Sequence, residues 1–158
     1  SYSEHPIAWS QRIFTLSLQC QPLSTIKKGE IRYYYYMEWL RISTSTELVR
    51  VATNEIVYVL ADGNYSDIVL TNGKSRKMTF QLHFFNEVFQ QLHNNMFVRV
   101  GRSLIVNKRY IHVINLTEQI LAFSGQSLSS DIRPLRVSRE ALKQLKELME
   151  EEKGVEYE

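Results

Sequence analysis

The sequence predicts a mainly β protein built from antiparallel strands, with one helix in mid-chain and a second helix near the C terminus. Short apolar segments of strand length follow one another along most of the chain. Asp62-Gly63 and Asn72-Gly73 separate several of these segments, and both pairs tolerate the positive φ of tight hairpin turns. The apolar spacing changes to a helical period after residue 80 and again after Ser138. With 158 residues and 44% apolar content, the chain can bury one core.

The first 37 residues are predicted to be an N-terminal extension or linker. Residues 14–20, FTLSLQC, alternate as a short strand does, and the aromatic run at residues 31–39 also favours a strand. An ordered arm is an open alternative for the same residues. Only half of the four tyrosines at 33–36 could share one base-stacking platform, because consecutive strand residues face opposite sides. We therefore favour a structural role for them.

The main domain is predicted over residues 38–150. Residues 39–43, 48–52 and 55–80 are predicted to form consecutive short strands joined by hairpin turns. A helix of about three turns is expected next, because apolar residues then recur at helical spacing, with Thr79 as the expected N-cap. The residues of this apolar stripe are Leu82, Phe85, Phe89 and Leu92.

Strands are predicted to resume at residue 97, with interruptions at Gly101 and at residues 107–109. Ser138 is a suitable N-cap for a closing helix. An apolar stripe along that helix consists of Leu142, Leu145 and Met149. Four of the eight residues at 151–158 are acidic, and we predict that this segment forms an acidic C-terminal tail.

The net charge of +2 hides a strong asymmetry along the chain. Residues 71–146 contain twelve Lys and Arg residues against four Asp and Glu residues, whereas the remainder contains seven against thirteen. A surface this basic attracts polyanions by counterion release. Clustered surface cations without a nucleic-acid ligand are the alternative explanation.

The stretch FVRVGRSLIVNKRYI, residues 97–111, contains a polar knuckle, Gly101-Arg102-Ser103, between two apolar segments. Arginine can donate a fork of hydrogen bonds to guanine, and serine can bind a phosphate oxygen or a base. The knuckle fits a nucleic-acid contact for this reason. An ordinary β-bulge with a solvated arginine fits the same residues.

Further polar or cationic tips recur along the strand array. The turn at residues 63–66 is small and rich in donors, residues 74–77 follow the next hairpin turn, and residues 107–109 follow an apolar run. Arg136 and Arg139 flank the start of the last helix, where free N–H groups and the positive end of the helix dipole favour anions. Several such loops can converge at one edge of a sheet.

Four segments, in this order and at this spacing, resemble the LytTR domain, the DNA-binding output module of many bacterial response regulators of the LytR/AgrA type. They are EIVYVLADGNYSDIVLTNGK, the mid-chain helix, FVRVGRSLIVNKRYIHVI and LRVSREALKQLKEL, and the resemblance covers roughly residues 38–150. The most specific element is the Phe-x-Arg-x-x-Arg-Ser-x-x-Val-Asn pattern at residues 97–107. The Val-Ser-Arg run at residues 137–139 is a second anchor.

The resemblance implies an elongated fold of stacked small antiparallel sheets. It also implies sequence-specific binding of double-stranded DNA by basic loops in the major groove, with a dimer on repeated sites. By position, it implies base contacts from Asn64, Tyr65, Ser66, Arg102, Ser103 and Arg139. Phosphate contacts are expected from Lys77, Arg99, Lys108, Arg109 and Arg136. A structural ion pair is the alternative role for Arg99, and Asn107 is expected to be a structural turn residue.

Two features of the sequence depart from the family pattern. Many members have His where this chain has Gly101, so a contact from that side chain is not carried over. Members commonly follow a receiver domain with clustered aspartates, whereas no Asp precedes Asp62 here. We therefore expect either an input domain upstream of this segment or another means of sensing. A cytoplasmic regulator of transcription in a bacterial two-component system is the overall expectation.

The sequence lacks the patterns of a catalytic, metal or cofactor site. The four His residues are scattered, Gly101-x-Ser103 lacks the second glycine of a nucleophile elbow, and no glycine-rich phosphate loop occurs. We expect no enzymatic activity, no metal and no cofactor, and the longest apolar runs are too short for a membrane span. The main alternative to DNA binding is a β-rich interaction or dimerisation module whose basic face meets an acidic protein. Binding of single strands by exposed tyrosines is a third alternative.

Overall fold

A computed structural model describes residues 8–11, 14–28, 31–92 and 94–152 of the chain. These residues form twelve strands in three antiparallel sheets, together with two α-helices and two short 3-10 turns. The predicted mainly β class with a mid-chain helix and a C-terminal helix is therefore confirmed. No helix in this part of the chain is long and apolar enough to cross a membrane.

The first sheet has the strand order β1-β2-β3-β4. Its strands are β1 (Ala8–Gln11), β2 (Phe14–Lys28), β3 (Ile31–Ser43) and β4 (Leu48–Ala52). The predicted strands at residues 14–20 and 31–39 lie in β2 and β3. Because β3 runs through position 37 without a break, the predicted boundary there falls inside a strand, and the division of the chain into an extension, a domain and a tail stays a prediction.

The second sheet has the order β7-β6-β5-β9-β8 and forms the centre of the molecule. Its strands are β5 (Ile56–Asp62), β6 (Tyr65–Leu70), β7 (Ser75–Met78), β8 (Phe97–Val100) and β9 (Leu104–Asn107). The hairpin turns contain Gly63 at φ +61° and Gly73 at φ +86°, as their sequences predict. Antiparallel pairing of β5 with β9 places the end of β5 beside the start of β9.

The third sheet consists of β10 (Ile111–Asn115), β11 (Ile120–Phe123) and β12 (Leu135–Arg136). Helix α1 (Leu82–Phe89) follows β7, and helix α2 (Arg139–Glu151) follows β12. The N-cap prediction for α1 is wrong, because Gln81 rather than Thr79 precedes its first turn. The prediction for α2 is confirmed, since the Ser138 hydroxyl accepts a hydrogen bond from the Ala141 N–H at 3.3 Å.

Buried side chains form two cores, one on each face of the second sheet. The core against the first sheet and α1 includes Leu18, Leu40, Ile56, Phe80, Phe85 and Ile105. The core against α2 and the third sheet includes Val100, Leu104, Val106, Leu121 and Leu142. Alternate residues of β9 thus enter opposite cores, as the strand period requires. The two cores hold the ends of the second sheet at fixed positions relative to α2.

Candidate nucleic-acid interface

The Gly101-Arg102-Ser103 knuckle is the turn of the hairpin that joins β8 to β9, whose last pair is Val100 with Leu104. Gly101 has φ +63°, and a Cβ there would lie 3.3 Å from the Cβ of Ala141 in the first turn of α2. A side chain at this position would be both strained and crowded, so glycine lets the hairpin approach the helix. Arg102 and Ser103 are exposed on the turn.

Arg99 holds the knuckle from β8. Its Nη2 atom donates a hydrogen bond of 2.7 Å to the backbone carbonyl oxygen of Arg102. Without this bond, the backbone at Arg102 could rotate, and the direction of the Arg102 side chain would change with it. The guanidinium of Arg99 thus fixes the backbone from which the Arg102 side chain projects.

The tip of the β5–β6 hairpin lies beside the knuckle. The Ala61 N–H donates to the Ser103 carbonyl oxygen at 2.8 Å, which extends the pairing of β5 with β9 into the turn. At the tip, Asn64 and Tyr65 are exposed. The Asn64 amide oxygen accepts a hydrogen bond from Gln81 Nε2 at 3.0 Å, and this contact ties the tip to the start of α1.

Ser66 is the exception among the predicted base-contacting residues. Its exposed fraction is 0%, and its hydroxyl donates a hydrogen bond of 2.8 Å to the Phe80 carbonyl oxygen. A buried hydroxyl that already has a partner is not available to a base without unfolding the hairpin. We correct the sequence-based assignment accordingly and treat Ser66 as a structural residue.

Lys77 lies at the same end of the second sheet, near the end of β7. Its ammonium group is within 2.5 Å of an Asp62 carboxylate oxygen and within 3.1 Å of an Asp67 oxygen. Hydrogen bonds to Asp62 and Asp67 raise the pKa of Lys77 above its ordinary value of 10.5, so the lysine is charged at neutral pH. The two carboxylates offset part of the positive field that it contributes.

A cleft of about 310 Å³ joins the knuckle to β12 and to the start of α2. Arg102, Ser103, Arg136 and Ser138 are among the residues that line it. Arg139 follows Ser138 directly as the first residue of α2, and it is exposed. Arg102 and Arg136 thus line one cleft, and Arg139 is the neighbour in sequence of its Ser138 wall.

We call this region the knuckle end of the second sheet. It comprises the tip of the β5–β6 hairpin, the end of β7, the β8–β9 knuckle and the adjoining start of α2. The predicted contact residues that it brings together are Asn64, Tyr65, Lys77, Arg102, Ser103, Arg136 and Arg139. Among the described residues, no carboxylate forms an ion pair with Arg102, Arg136 or Arg139.

Lys108 and Arg109 lie at the opposite end of β9 from the knuckle. The Lys108 ammonium forms an ion pair with Glu152, just beyond the last residue of α2. The Arg109 guanidinium lies 5.8 Å from the centre of the Tyr110 ring. Lys108 is therefore beside the acidic C-terminal end of α2, and both cations follow the end of β9 that is farther from the knuckle.

Asn107 has the structural role that the sequence suggests. It is fully buried, its side-chain N–H group donates to the Ile56 carbonyl oxygen at 2.9 Å, and its side-chain oxygen accepts from the Arg109 N–H at 3.0 Å. These contacts join β9 to the start of β5. They engage both the nitrogen and the oxygen of the side-chain amide, so Asn107 belongs to the frame that positions the sheet.

Two contacts of the knuckle end were missed by the sequence reasoning. Gln81 holds Asn64, and Arg99 holds the Arg102 carbonyl. The first pair is 17 residues apart, so no local spacing signals it. The second pair has a weak signal, because residues on either side of a hairpin turn lie close together.

The LytTr DNA-binding domain model matches residues 46–150, which include every residue of the knuckle end. The chain belongs to the LytTr DNA-binding domain family. The domain therefore binds DNA in the regulation of transcription, and the family's name describes a binding rather than a catalytic domain. In the described part of the chain, no three His, Cys, Asp or Glu residues are grouped as metal ligands would be.

The chain is also similar in fold to a solved structure and in sequence to a curated protein. The fold is similar to a LytTr DNA-binding domain of a putative methyl-accepting/DNA response regulator from Bacillus cereus, with a TM-score of 0.52 and 17% identity. That match covers 70% of this chain and 95% of the other. An uncharacterized response regulatory protein from Vibrio cholerae is 31% identical over 72 residues, which are 46% of this chain and 28% of the relative. The chain thus matches less than a third of that relative's length.

Proposed function

We propose that this LytTr domain binds double-stranded DNA with its knuckle end, and that it reads sequence in the major groove. The observation that supports this most is the cleft in which Arg102, Arg136 and the first turn of α2 meet. Cations that lack a carboxylate partner can neutralise phosphates without first breaking an ion pair. The same side chains are free to reach base edges.

The residues of the knuckle end divide into two groups in this proposal. Arg102 and Arg139 form hydrogen bonds with base edges, because a guanidinium can donate a fork to guanine O6 and N7. The exposed groups of Asn64, Tyr65 and Ser103 contact bases beside them. These contacts specify the sequence, whereas phosphate contacts fix the register of the protein on the duplex.

Phosphate contacts come from Arg136, Lys77 and the start of α2. Arg136 lies in the wall of the cleft, next to the Ser138 cap. The helix has 13 residues, so the positive end of its dipole and its free N–H groups favour an anion near Arg139. Lys77 contributes a cation whose charge its two aspartates partly offset. We give Arg99 a positioning role, and we place Lys108 and Arg109 outside the interface.

The finer regulatory setting also belongs to the proposal. Two copies bind repeated sites, and an input domain upstream of this segment controls them as in a bacterial response regulator. Similarity to a response regulatory protein from Vibrio cholerae supports this setting. Because the proposed ligand is an operator in the chromosome, we infer that the domain acts in the cytoplasm.

Two single-cation variants test the proposed interface. A cognate duplex is first selected from random sequences, and binding is then titrated on that duplex and on a scrambled one over a range of salt. Arg102→Ala should weaken cognate binding by about 1–3 kcal/mol, with a much smaller loss on scrambled DNA, because a base contact is removed. Lys108→Ala is the matched control, since it also removes one cation but at the other end of β9.

The expected result for Lys108→Ala is an affinity within about twofold of the parent chain and an unchanged salt slope, because this lysine touches no phosphate in the proposal. Two outcomes would contradict the assignment. One is an equal loss on cognate and scrambled DNA for Arg102→Ala. The other is a loss of about 0.9 in salt slope for Lys108→Ala, which would place DNA at the far end of the sheet.

A further inference from the structure

The β2–β3 hairpin extends well beyond the rest of the first sheet. β1 pairs with β2 only as far as Ser17, and β4 pairs with β3 only from Trp39 onward. Beyond these points the hairpin continues as a two-stranded ribbon, residues 20–28 of β2 paired with residues 31–38 of β3. Eight strand residues span about 26 Å. Two-stranded ribbons are marginally stable on their own in water, so a ribbon of this length favours a partner.

The two long edges of the ribbon differ in how they are protected. Proteins discourage pairing at an exposed strand edge with proline, bulges and lysine. The β2 edge has all three, because it contains Pro22, an irregular register between Pro22 and Ser24, and Lys27 with Lys28. The β3 edge, residues 31–38, contains Ile, Arg, four consecutive Tyr, Met and Glu, with no proline or lysine. These β-prone residues, with no proline, bulge or lysine among them, make β3 the edge better suited to pairing.

The orientation of the β3 backbone follows from one hydrogen bond. The Thr53 hydroxyl, just past β4, donates to the Glu38 carbonyl oxygen at 3.1 Å. The backbone groups of Glu38 therefore face the β4 side of β3. Because strand residues alternate in direction, the N–H and C=O groups of Arg32, Tyr34 and Tyr36 face that same side. No described strand pairs with β3 there.

We propose that this β3 edge pairs with the same edge of a second copy of the chain, antiparallel and about a two-fold axis at Tyr34. In that register Tyr34 pairs with its counterpart, and Arg32 pairs with Tyr36 in both directions. Each of these pairs exchanges two hydrogen bonds, so every outward N–H and C=O of the three residues finds a partner. The edge is therefore self-complementary, which is what a closed two-fold dimer requires.

The position of the ribbon leaves the DNA-binding surface accessible in such a dimer. The β3–β4 turn lies near β7, where Glu47 forms an ion pair with Arg76, and β3 runs from the ribbon toward that turn. The ribbon extends in the direction away from that turn, past Glu38 and the 3-10 turn at Thr53–Glu55 that precedes β5. It is thus directed away from the knuckle end. The whole ribbon also precedes residue 46, where the match to the LytTr model begins.

This inference rests on the two-copy part of the proposed function, and dimerisation is measured in the absence of DNA so that either idea can fail alone. The whole chain is examined by sedimentation velocity over a range of concentration, and a monomer–dimer equilibrium is expected. Tyr34→Pro removes an outward N–H from both copies while leaving the β2–β3 ladder intact. The dimer dissociation constant should rise about 10- to 100-fold, from the loss of two hydrogen bonds.

Tyr34→Val is the matched control for the aromatic side chain. Valine keeps the N–H group and favours strands, so the dimer should persist. A second variant guards against misfolding by proline. Since Gln21 and Met37 are register partners, replacing residues 22–36 with Asn-Gly closes a shorter hairpin through a two-residue turn. This variant should be monomeric and should bind one DNA half-site with the parent's affinity.

A monomeric parent chain at all concentrations would overturn the inference. So would a dimer that survives both Tyr34→Pro and the shortened hairpin, because its contact would then lie elsewhere. A dimer lost equally in Tyr34→Val and Tyr34→Pro would assign the contact to the tyrosine ring and would contradict pairing of the strand edges. A parent chain that does not bind a DNA half-site would instead count against the proposed function alone.

Discussion

Replacing Arg99 with methionine separates a residue that positions the knuckle from one that touches phosphate. The guanidinium donates to the Arg102 carbonyl oxygen at 2.7 Å, and both residues are exposed. A hydrogen bond from a charged donor contributes about 1.5–3 kcal/mol, and exposure to water reduces this to about 1 kcal/mol. In the variant, the knuckle is no longer held and samples other backbone orientations. DNA binding must then restore the orientation that can bind, at the expense of part of the binding free energy. We expect cognate affinity to fall about fivefold, which corresponds to that energy.

The assay is a fluorescence-anisotropy titration of Arg99→Met on cognate and scrambled duplexes at several salt concentrations. A positioning role predicts a loss on the cognate duplex with little loss on the scrambled one and no change in salt slope. Arg109→Met is the matched control, because it removes an exposed arginine from the far end of β9, and its binding should equal that of the parent. Equal losses on both duplexes for Arg99→Met, with a slope reduced by about 0.9, would refute this reasoning and indicate a phosphate contact.

Three further predictions concern the frame that holds the interface. Ser66→Ala should lower the free energy of unfolding in urea by about 1–3 kcal/mol, because it leaves the Phe80 carbonyl unpaired, while DNA affinity of the folded protein should not change; a normal stability would contradict this. Gly101→Ala should lower the free energy of unfolding by about 1–2 kcal/mol, because the residue has a positive φ and its new Cβ would crowd Ala141. It should also weaken cognate binding, whereas no change in either quantity would mean that the knuckle relaxes freely. Burial, and to a smaller extent a nearby carboxylate, raises the pKa of the Tyr58 phenol above its ordinary value of 10.0. As pH rises, this phenol ionises first in the unfolded chain, so the free energy of unfolding should hold below pH 10 and fall above it. Tyr58→Phe should lessen this fall in thermal melts.

Local signals in the sequence account for the elements that were predicted well. The Asp62-Gly63 and Asn72-Gly73 turns require positive φ at glycine, and both occur in hairpins. Ser138 caps α2 because a hydroxyl at that position can accept from an N–H three residues later. Features of this kind depend on a few adjacent residues, so a single sequence reveals them.

The burial of Ser66 could have been predicted from its position on β6. It lies two residues before Ile68 on β6, and strand residues two apart face the same side. Both are buried, whereas Tyr65 between the turn and Ser66 is exposed. The burial of Ser66 therefore follows the strand period of β6 rather than the exposure of the turn residues before it.

The distribution of cations between the two ends of the second sheet required the tertiary structure. Lys108 and Glu152 are 44 residues apart, and only the packing of α2 along β8 and β9 brings them together. The charge count over residues 71–146 treats Lys108 and Arg102 alike. In the fold they lie at opposite ends of a four-residue strand, and this separation decides which cations can share one DNA surface.

The most direct test of the central claim is a map of backbone amide chemical shifts during titration with the selected duplex. We expect the largest changes at residues 64–65, 101–103 and 136–139, at the knuckle end. Changes at residues 108–109 and 150–152 should be small. The largest changes at that second group instead, with the knuckle undisturbed, would contradict the claim that DNA binds where Arg102 and Arg139 converge.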